Sequence, residues 1–280
     1  MDRSRKGEMQ ITSTKGPADR PLALVTGASS GIGRAYARRL AADGHDLCVV
    51  ARRADRLEEL KRQLEAEHGV SVSVLPADLS TESGRHEVDA AAADPRLALL
   101  VDCAALAYYM PFLSLPPDTA EELVNLNVLA PVRLIRAALP GMVERGRGAL
   151  VCFSSLMAFS STSENPLLPK RAVYTAGKAF LLTFIRLLAI ELRDTGVRVQ
   201  VVCPAIVKSE FQSRQNIDVS NRPRMEPEVV VSASLIGLEL GEVVCMPTVE
   251  DADLLQRYDL AESEILAAGL RPPLAKRYIR

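Results

Sequence analysis

The sequence predicts a single α/β domain in which a parallel β-sheet of about seven strands is covered by helices on both faces. Three observations carry that prediction. Short runs that are apolar throughout alternate with stretches of helical periodicity from Pro21 almost to the C-terminus. A strand that is apolar on both sides needs cover on both sides, which is the pattern of a buried parallel sheet. No linker, internal repeat or low-complexity block interrupts the alternation in 280 residues, a length that suits one large α/β domain.

The elements follow in order. Residues 1–20 are polar, broken by Gly and Pro, and without periodicity, so they are expected to form a flexible tail ahead of a domain spanning 21–280. PLALVTG (21–27) reads as a strand and GRAYARRLAADG (33–44) as a helix. HDLCVVA (45–51) is a second strand, followed by the helix RLEELKRQLEAEHG (56–69), closed by Gly69. VSVSVLPADLS (70–80), ESGRHEVDAAAA (82–93) and LALLVDCAA (97–105) continue as strand, helix, strand. The stretch 121–146 is one long helix with a possible kink at Pro131. GALVCFSS (148–155) is a strand, VYTAGKAFLLTFIRLLAIEL (173–192) a helix, and VRVQVVCP (197–204) and EVVCMP (242–247) are strands flanking the helix VVVSASLIGLELG (229–241). A helical extension occupies 249–280.

Composition narrows the function. The chain is 48% hydrophobic and 25% charged with a net charge of −1, which argues against a dedicated nucleic-acid binder. Without a signal-like N-terminus or an unbroken run of apolar residues long enough to span a bilayer, neither secretion nor membrane insertion is expected. Cys48, Cys103, Cys152, Cys203 and Cys245 each lie in or beside a different apolar run, without metal-ligand spacing. They read as small core hydrophobes in a reducing compartment, so the expected location is cytoplasmic and no metal is expected.

The first strand-to-helix turn, TGASSGIG, places Gly27, Gly31 and Gly33 where positive φ and close ligand approach are useful. The free N–H groups of the following helix then face an anion, normally a pyrophosphate. At the end of the second strand, a carboxylate would select NAD through its ribose. This chain has Ala51-Arg52-Arg53 there, and no acid is expected to oppose them. Guanidinium groups suit a 2′-phosphate, so NADP(H) is expected over NAD(H).

Tyr174, Lys178, Leu181, Ile185, Leu188 and Leu192 share one helical stripe. A phenol and an ammonium at the head of an apolar stripe need a reason. A free phenol has a pKa of about 10, too high for ready proton exchange at neutral pH. A cation about 4 Å away can favour the phenolate by about 3–4 kcal/mol, so Lys178 is expected to lower the pKa of Tyr174.

Together, TGASSGIG (26–33), YTAGK (174–178), Asn127 in LVNLNVLAP and CPAIVKS (203–209) resemble the short-chain dehydrogenase/reductase family over nearly all of Pro21–Pro247. The resemblance implies a Rossmann-type doubly wound sheet with ligand at its carboxyl edge, where strand order reverses. It implies that Tyr174 protonates a carbonyl oxygen as hydride arrives, that Lys178 holds the nicotinamide ribose, that Ser155 bonds the substrate oxygen, and that Asn127 holds a relay water. The cofactor would also contact Gly27, Ser29, Ser30, Gly31, Ile32, Gly33, Arg52, Arg53, Asp78, Leu79, Ala104, Val207 and Ser209. A homodimer or homotetramer is implied too, in keeping with a second, largely apolar stripe of Phe180, Phe184, Leu187 and Glu191 on the same helix.

Three features depart from the family pattern. Asp102-Cys103-Ala104-Ala105 stands for Asn-Asn-Ala-Gly, so Asp102 must find donors or shift its pKa. Ala205 replaces a glycine, and STSENPLLPKR (161–171) lengthens the segment before Tyr174 into an expected exposed loop at the substrate mouth. Tyr108, Tyr109, Met110, Phe112, Met157, Phe159 and Phe211 are expected to line the cleft and to suit an apolar or aromatic ketone or aldehyde. A 3-oxoacyl thioester on an acyl carrier is the alternative substrate, which would want Lys170, Arg171 and Lys208 as a basic surface. A catalytically weak NADP(H)-binding sensor or structural protein is the alternative of another class.

Overall fold

The structure is a computed structural model and describes residues 20–166, 168–213, 219–270 and 273–279, so the expected tail lies outside the described residues apart from Arg20. Seven strands form one parallel sheet: β1 (Leu22–Thr26), β2 (Asp46–Ala51), β3 (Val72–Pro76), β4 (Leu97–Asp102), β5 (Gly148–Phe153), β6 (Val197–Val202) and β7 (Val244–Cys245). Their order is β3-β2-β1-β4-β5-β6-β7, so the chain winds outward first on one side of β1 and then on the other. The reversal opens a crevice at the carboxyl ends of β1 and β4.

Alternate residues of the apolar strands feed two cores. Ala23 and Val25 pack with Tyr36 and Leu40 of α1 (Gly31–Ala42), with Leu57, Leu60 and Leu64 of α2 (Ala54–His68), and with Val230, Val231 and Leu238 further along. Leu22 and Leu24 join the opposite core, with Val88 of α3 (Glu82–Ala92) and with Leu134, Ile135, Leu181 and Ile185. Gly69 ends α2 as expected: at φ +63° it takes the left-handed conformation, and its N–H returns to the Glu65 carbonyl.

The long helix expected over 121–146 is broken, but before Pro131 rather than at it. α4 (Pro117–Val124) passes through a π-turn, Asn125–Leu129, into α5 (Ala130–Glu144). There the Ala130 N–H donates to the Asn125 carbonyl, five residues back instead of four. Pro131 has no N–H for the carbonyl of Asn127, one turn earlier, which favours this loosening. Asn127 sits inside the widened turn.

α6 (Ala172–Glu191) follows, then the short α7 (Glu210–Ser213) and α8 (Pro227–Leu240). All six residues of the Tyr174 stripe are buried, Lys178 included at 3% exposure. By length and composition two helical stretches, Pro117–Glu144 and Ala172–Glu191, are apolar enough to cross a membrane. In this fold their inner faces belong to the core described above.

Thr248–Arg280 separates as a second compact unit beyond the sheet domain. It contains α9 (Asp253–Gly269), which has no buried residue, and a 3₁₀ turn at Lys276–Tyr278.

Candidate active site

A cleft of about 600 Å³ runs along the carboxyl edge of the sheet. It is lined by Gly27, Ser29, Ser30, Gly31, Ile32 and Gly33 at one end and by Ser155, Tyr174 and Lys178 at the other. The glycines are sterically required. Gly27 and Gly31 have φ of +67° and +54°. A Cβ on Gly33 would lie 2.5 Å from the Gly27 carbonyl oxygen, so α1 could not start this close to β1. Ser30 is the N-cap of α1, yet its side chain makes no capping bond. The first N–H groups of the helix are thus left for a ligand, and a backbone pressed this close to the cleft fits a pyrophosphate.

Beyond the turn lie the arginines. Both Arg52 and Arg53 line the cleft. Arg53 reaches back to the Ser29 hydroxyl at 2.9 Å and meets the Glu210 carboxylate at 2.7 Å. Arg56, which the sequence reading passed over, pairs with the same carboxylate at 2.5 Å. Arg52 lies 3.7 Å from Asp78 and 4.0 Å from Glu122. The expectation that no acid opposes these arginines is therefore corrected: carboxylates from α4, α7 and the end of β3 all approach them. None was visible locally because each comes from a distant stretch of chain.

Asp78 and Leu79 line the cleft as expected. Asp78 Oδ1 accepts from the Ser80 N–H and hydroxyl. Two further residues shape this corner. A Cβ on Gly84 would stand 2.0 Å from the Asp78 carbonyl oxygen. Buried Arg85 donates to the carbonyls of Leu79 (3.1 Å) and Ser80 (2.8 Å). The only sequence signal for either was a glycine inside a helix, where it costs about 1 kcal/mol relative to alanine.

At the other end α6 carries Tyr174 and Lys178 into the cleft. The Tyr174 side chain faces Ser155, and its ring meets the Tyr109 ring edge-on with centroids 5.4 Å apart. Burial pushes its pKa well up, and Tyr109 adds to the rise. This corrects the expectation that Lys178 lowers it. Lys178 Nζ lies 5.9 Å from the Tyr174 ring centroid and donates to the Phe153 carbonyl at 2.8 Å. The lysine's own pKa is lowered by burial, against which Asp102 acts. In this arrangement the Tyr174 hydroxyl stays protonated.

Ser155 caps the 3₁₀ turn after β5, its hydroxyl accepting from the Met157 N–H at 3.1 Å. The neighbouring Ser154 hydroxyl binds the Lys178 carbonyl at 2.7 Å, tying β5 to α6. Asn127 is not among the residues lining the cleft, and its amide exchanges two hydrogen bonds with the Leu106 backbone, at 2.8 and 3.2 Å. The π-turn thereby fastens the loop after β4. Gly177 of α6 packs near Asn127, where an added Cβ would come to 3.5 Å from the Asn127 Cβ.

Asp102 does both things required of it. It accepts from the Thr26 hydroxyl at 2.7 Å, and burial lifts its pKa to about 6 against the pull of that bond and of Lys178. Thr26 Oγ1 in turn accepts from the Cys103 and Ala104 N–H groups, so β1 and the loop after β4 are joined through it. Ala104, Ala105 and Ala205 all line the cleft, as do Val207 and Ser209. The segment carrying Val207 is braced by Met225, whose carbonyl accepts from the Lys208 N–H at 2.8 Å.

Of the residues expected at the mouth, Tyr109, Met157 and Phe211 line the cleft. Tyr108, Met110, Phe112 and Phe159 do not. Tyr108 turns to Glu122, and Phe112 is 64% exposed on a 3₁₀ turn. Leu168 of the lengthened loop lines the cleft, while residues 161–166 are exposed. Arg171 holds the loop's ends together through the carbonyls of Ser160 (3.0 Å) and Pro169 (2.9 Å).

Comparison with known proteins agrees with this geometry. The short chain dehydrogenase family profile matches residues 21–220. A short-chain dehydrogenase from Sphingobium yanoikuyae, solved in complex with NADPH, is 36% identical, with a TM-score of 0.86 over 92% of this chain and all of that one. The bulky-bulky ketone specific alcohol dehydrogenase from Comamonas testosteroni is 31% identical, with a TM-score of 0.83 over 94% of this chain and all of its own. A very-long-chain 3-oxoacyl-CoA reductase from Anas platyrhynchos is 30% identical over 239 residues, 83% of this chain and 74% of that protein. With the family profile matched over residues 21–220 and these likenesses spanning most of its length, the chain belongs to the short-chain dehydrogenase/reductase family and is an NAD(P)-dependent oxidoreductase.

Proposed function

We propose that the protein is an NADP(H)-dependent reductase of bulky apolar ketones or aldehydes, with Tyr174 as the proton donor. The observation that carries this reading is the Tyr174 side chain, buried on the cleft lining together with Ser155 and Lys178 and held protonated by its surroundings. When bound, the reduced nicotinamide supplies the hydride. Ser155 then orients the carbonyl oxygen, Tyr174 gives that oxygen its proton, and Lys178 is the group beside the tyrosine able to hold ribose hydroxyls. Removing a positioned general acid costs about 10²–10⁴-fold. Tyr174→Phe is therefore expected to lose NADPH-dependent turnover by that factor while cofactor affinity stays within a few-fold. A screen of ketones, aldehydes and acyl thioesters, followed by NADPH oxidation, is the experiment; turnover surviving in Tyr174→Phe overturns the assignment.

Preference for the phosphorylated cofactor is supported by Arg52, Arg53 and Arg56 at the end of β2 and the start of α2. Substrate size is supported by the apolar lining, which includes Leu156, Met157, Leu168, Ile206 and Phe211. The Comamonas relative acts on bulky ketones, and the Anas relative on a 3-oxoacyl-CoA. A carrier-protein thioester is disfavoured by electrostatics. Lys208 is paired with Glu226, and Arg171 is committed to loop carbonyls. That leaves exposed Lys170 as the remaining residue of the expected basic surface.

We also infer a homodimer or homotetramer built on the outer faces of α5 and α6. The cytoplasmic location rests on five cysteines that carry no disulfide.

A further inference from the structure

The lengthened loop 161–171 is exposed over 161–166, yet among its described residues Leu168 turns back and lines the cleft. Its backbone is held on both sides. The Leu168 N–H donates to the Asn165 carbonyl at 3.0 Å. Pro169 comes next, and a residue before proline is confined to extended conformations. The Pro169 carbonyl then accepts from Arg171 Nη1 at 2.9 Å.

Arg171 ties this side of the loop to the other. Its Nε donates to the Ser160 hydroxyl at 3.1 Å, and its Nη2 to the Ser160 carbonyl at 3.0 Å. The Ser160 hydroxyl donates in turn to the Met157 carbonyl at 2.7 Å. Met157 lines the cleft as well, and its N–H donates to the Ser155 hydroxyl at 3.1 Å. One guanidinium therefore links Leu168, through Ser160 and Met157, to Ser155, and the loop borders the end of the cleft where Ser155 and Tyr174 stand. Arg171 is also the N-cap of α6, the helix that carries Tyr174. Its planar fork of donors can fix several acceptors at once, where an ammonium on a flexible stem acts as a single point charge.

Two kinds of wall meet at this end. Leu168 and Met157 are aliphatic. Tyr109 and Phe211 are aromatic, with ring centroids 5.4 and 6.1 Å from that of Tyr174. We propose that the substrate is an aryl alkyl ketone and that Leu168 is the specificity-determining residue that limits its alkyl arm. Arg171 is the positioning residue that keeps Leu168 in place. This rests on the reading of the protein as a ketone reductase. Each methylene buried against such a wall is worth about fourfold in binding, and an arm too long for the space is rejected.

The test is kcat/KM at saturating NADPH along acetophenone, propiophenone, butyrophenone and valerophenone. Leu168→Ala opens space for the arm and should raise the ratio of valerophenone to acetophenone by about three- to tenfold. Arg171→Gln cannot span the Ser160 and Pro169 acceptors together, so the wall loosens and the same ratio should rise about threefold or more, mainly through a lower KM for valerophenone. A role confined to stability would scale all four ketones together and leave the ratio alone. NADPH affinity within a few-fold of the parent's shows that each variant is folded; should Arg171→Gln not fold, Arg171→Lys takes its place with the same expectation. A ratio within twofold of the parent's in either variant overturns this inference and spares the proposed function. A parent inactive on these four ketones but active on other carbonyl compounds does the same. A parent that reduces no carbonyl compound overturns both.

Discussion

A carboxyl group at position 102 costs the fold something that an amide would not. Its pKa rises from 3.8 to about 6, with burial as the main cause. Between those values the folded chain holds more protons than the unfolded one, so stability falls as pH rises through that window. Above about pH 6 the full cost stands, at most about 3 kcal/mol. Asp102→Asn keeps an oxygen for the Thr26 hydroxyl and removes the titration. The stability difference between variant and parent, measured as urea midpoints, should therefore shift in the variant's favour from pH 4 to pH 7. A constant offset across that range would sink the explanation. The compensation is functional, because Asp102 is the group that supports the charge of buried Lys178. Much of this was legible in advance. A carboxylate on an apolar strand demanded a donor or a shift, and Thr26 supplies the first while burial supplies the second. The protonation of Tyr174 was not legible. Helical spacing brings Lys178 to the same face, but only the packed structure reveals that the ammonium is spent on the Phe153 carbonyl.

Glu210, in α7, changes how the nucleotide end of the cleft should be understood. One carboxylate joins Arg53 and Arg56, the groups suited to a 2′-phosphate, to the segment that follows the cleft-lining residues Val207 and Ser209. A phosphate binding there would have to displace it or share the guanidinium groups. These side chains are 29–40% exposed, so solvent screening leaves each pairing only a modest contribution. Glu210→Gln should accordingly tighten NADPH binding by about two- to fivefold and leave NADH nearly unchanged, as read by calorimetric Kd values. Weaker NADPH binding would instead mean that Glu210 holds the arginines in their receptive pose. Elements such as α7 are hard to read from sequence because a four-residue helix has no periodicity to detect. The π-turn at Asn125–Leu129 was hidden for the opposite reason, since it lies within a continuous helical pattern in which Pro131 is the only clue. Gly84 is similar: its absent side chain brings α3 against the Asp78 carbonyl, a contact that no local rule announces.

At the scale of the molecule, seven short apolar-rich runs became seven strands because each is separated from the next by a helix, which leaves few other arrangements. The same patterning leaves apolar surface over. On α6, Leu187 is 54% exposed and Ile190 60%, while Phe180 stacks on Phe184 at 5.8 Å with much of its ring in solvent. Val124, Leu129 and Val143 add exposed apolar surface along α4, the π-turn and α5. A second copy of the chain, covering α5 and α6 about a two-fold axis, would bury the patch against its own equivalent. Sedimentation equilibrium at micromolar concentration should therefore return twice or four times the chain mass. Leu187→Glu would place a charge in that interface and should shift the distribution towards monomer. α9 also carries exposed apolar residues, among them Ile265 and Leu266. Leu266→Glu is expected to leave the mass unchanged; dissociation by that change and not by Leu187→Glu would move the interface to the C-terminal unit. A monomer mass for the unaltered protein would remove the oligomer altogether.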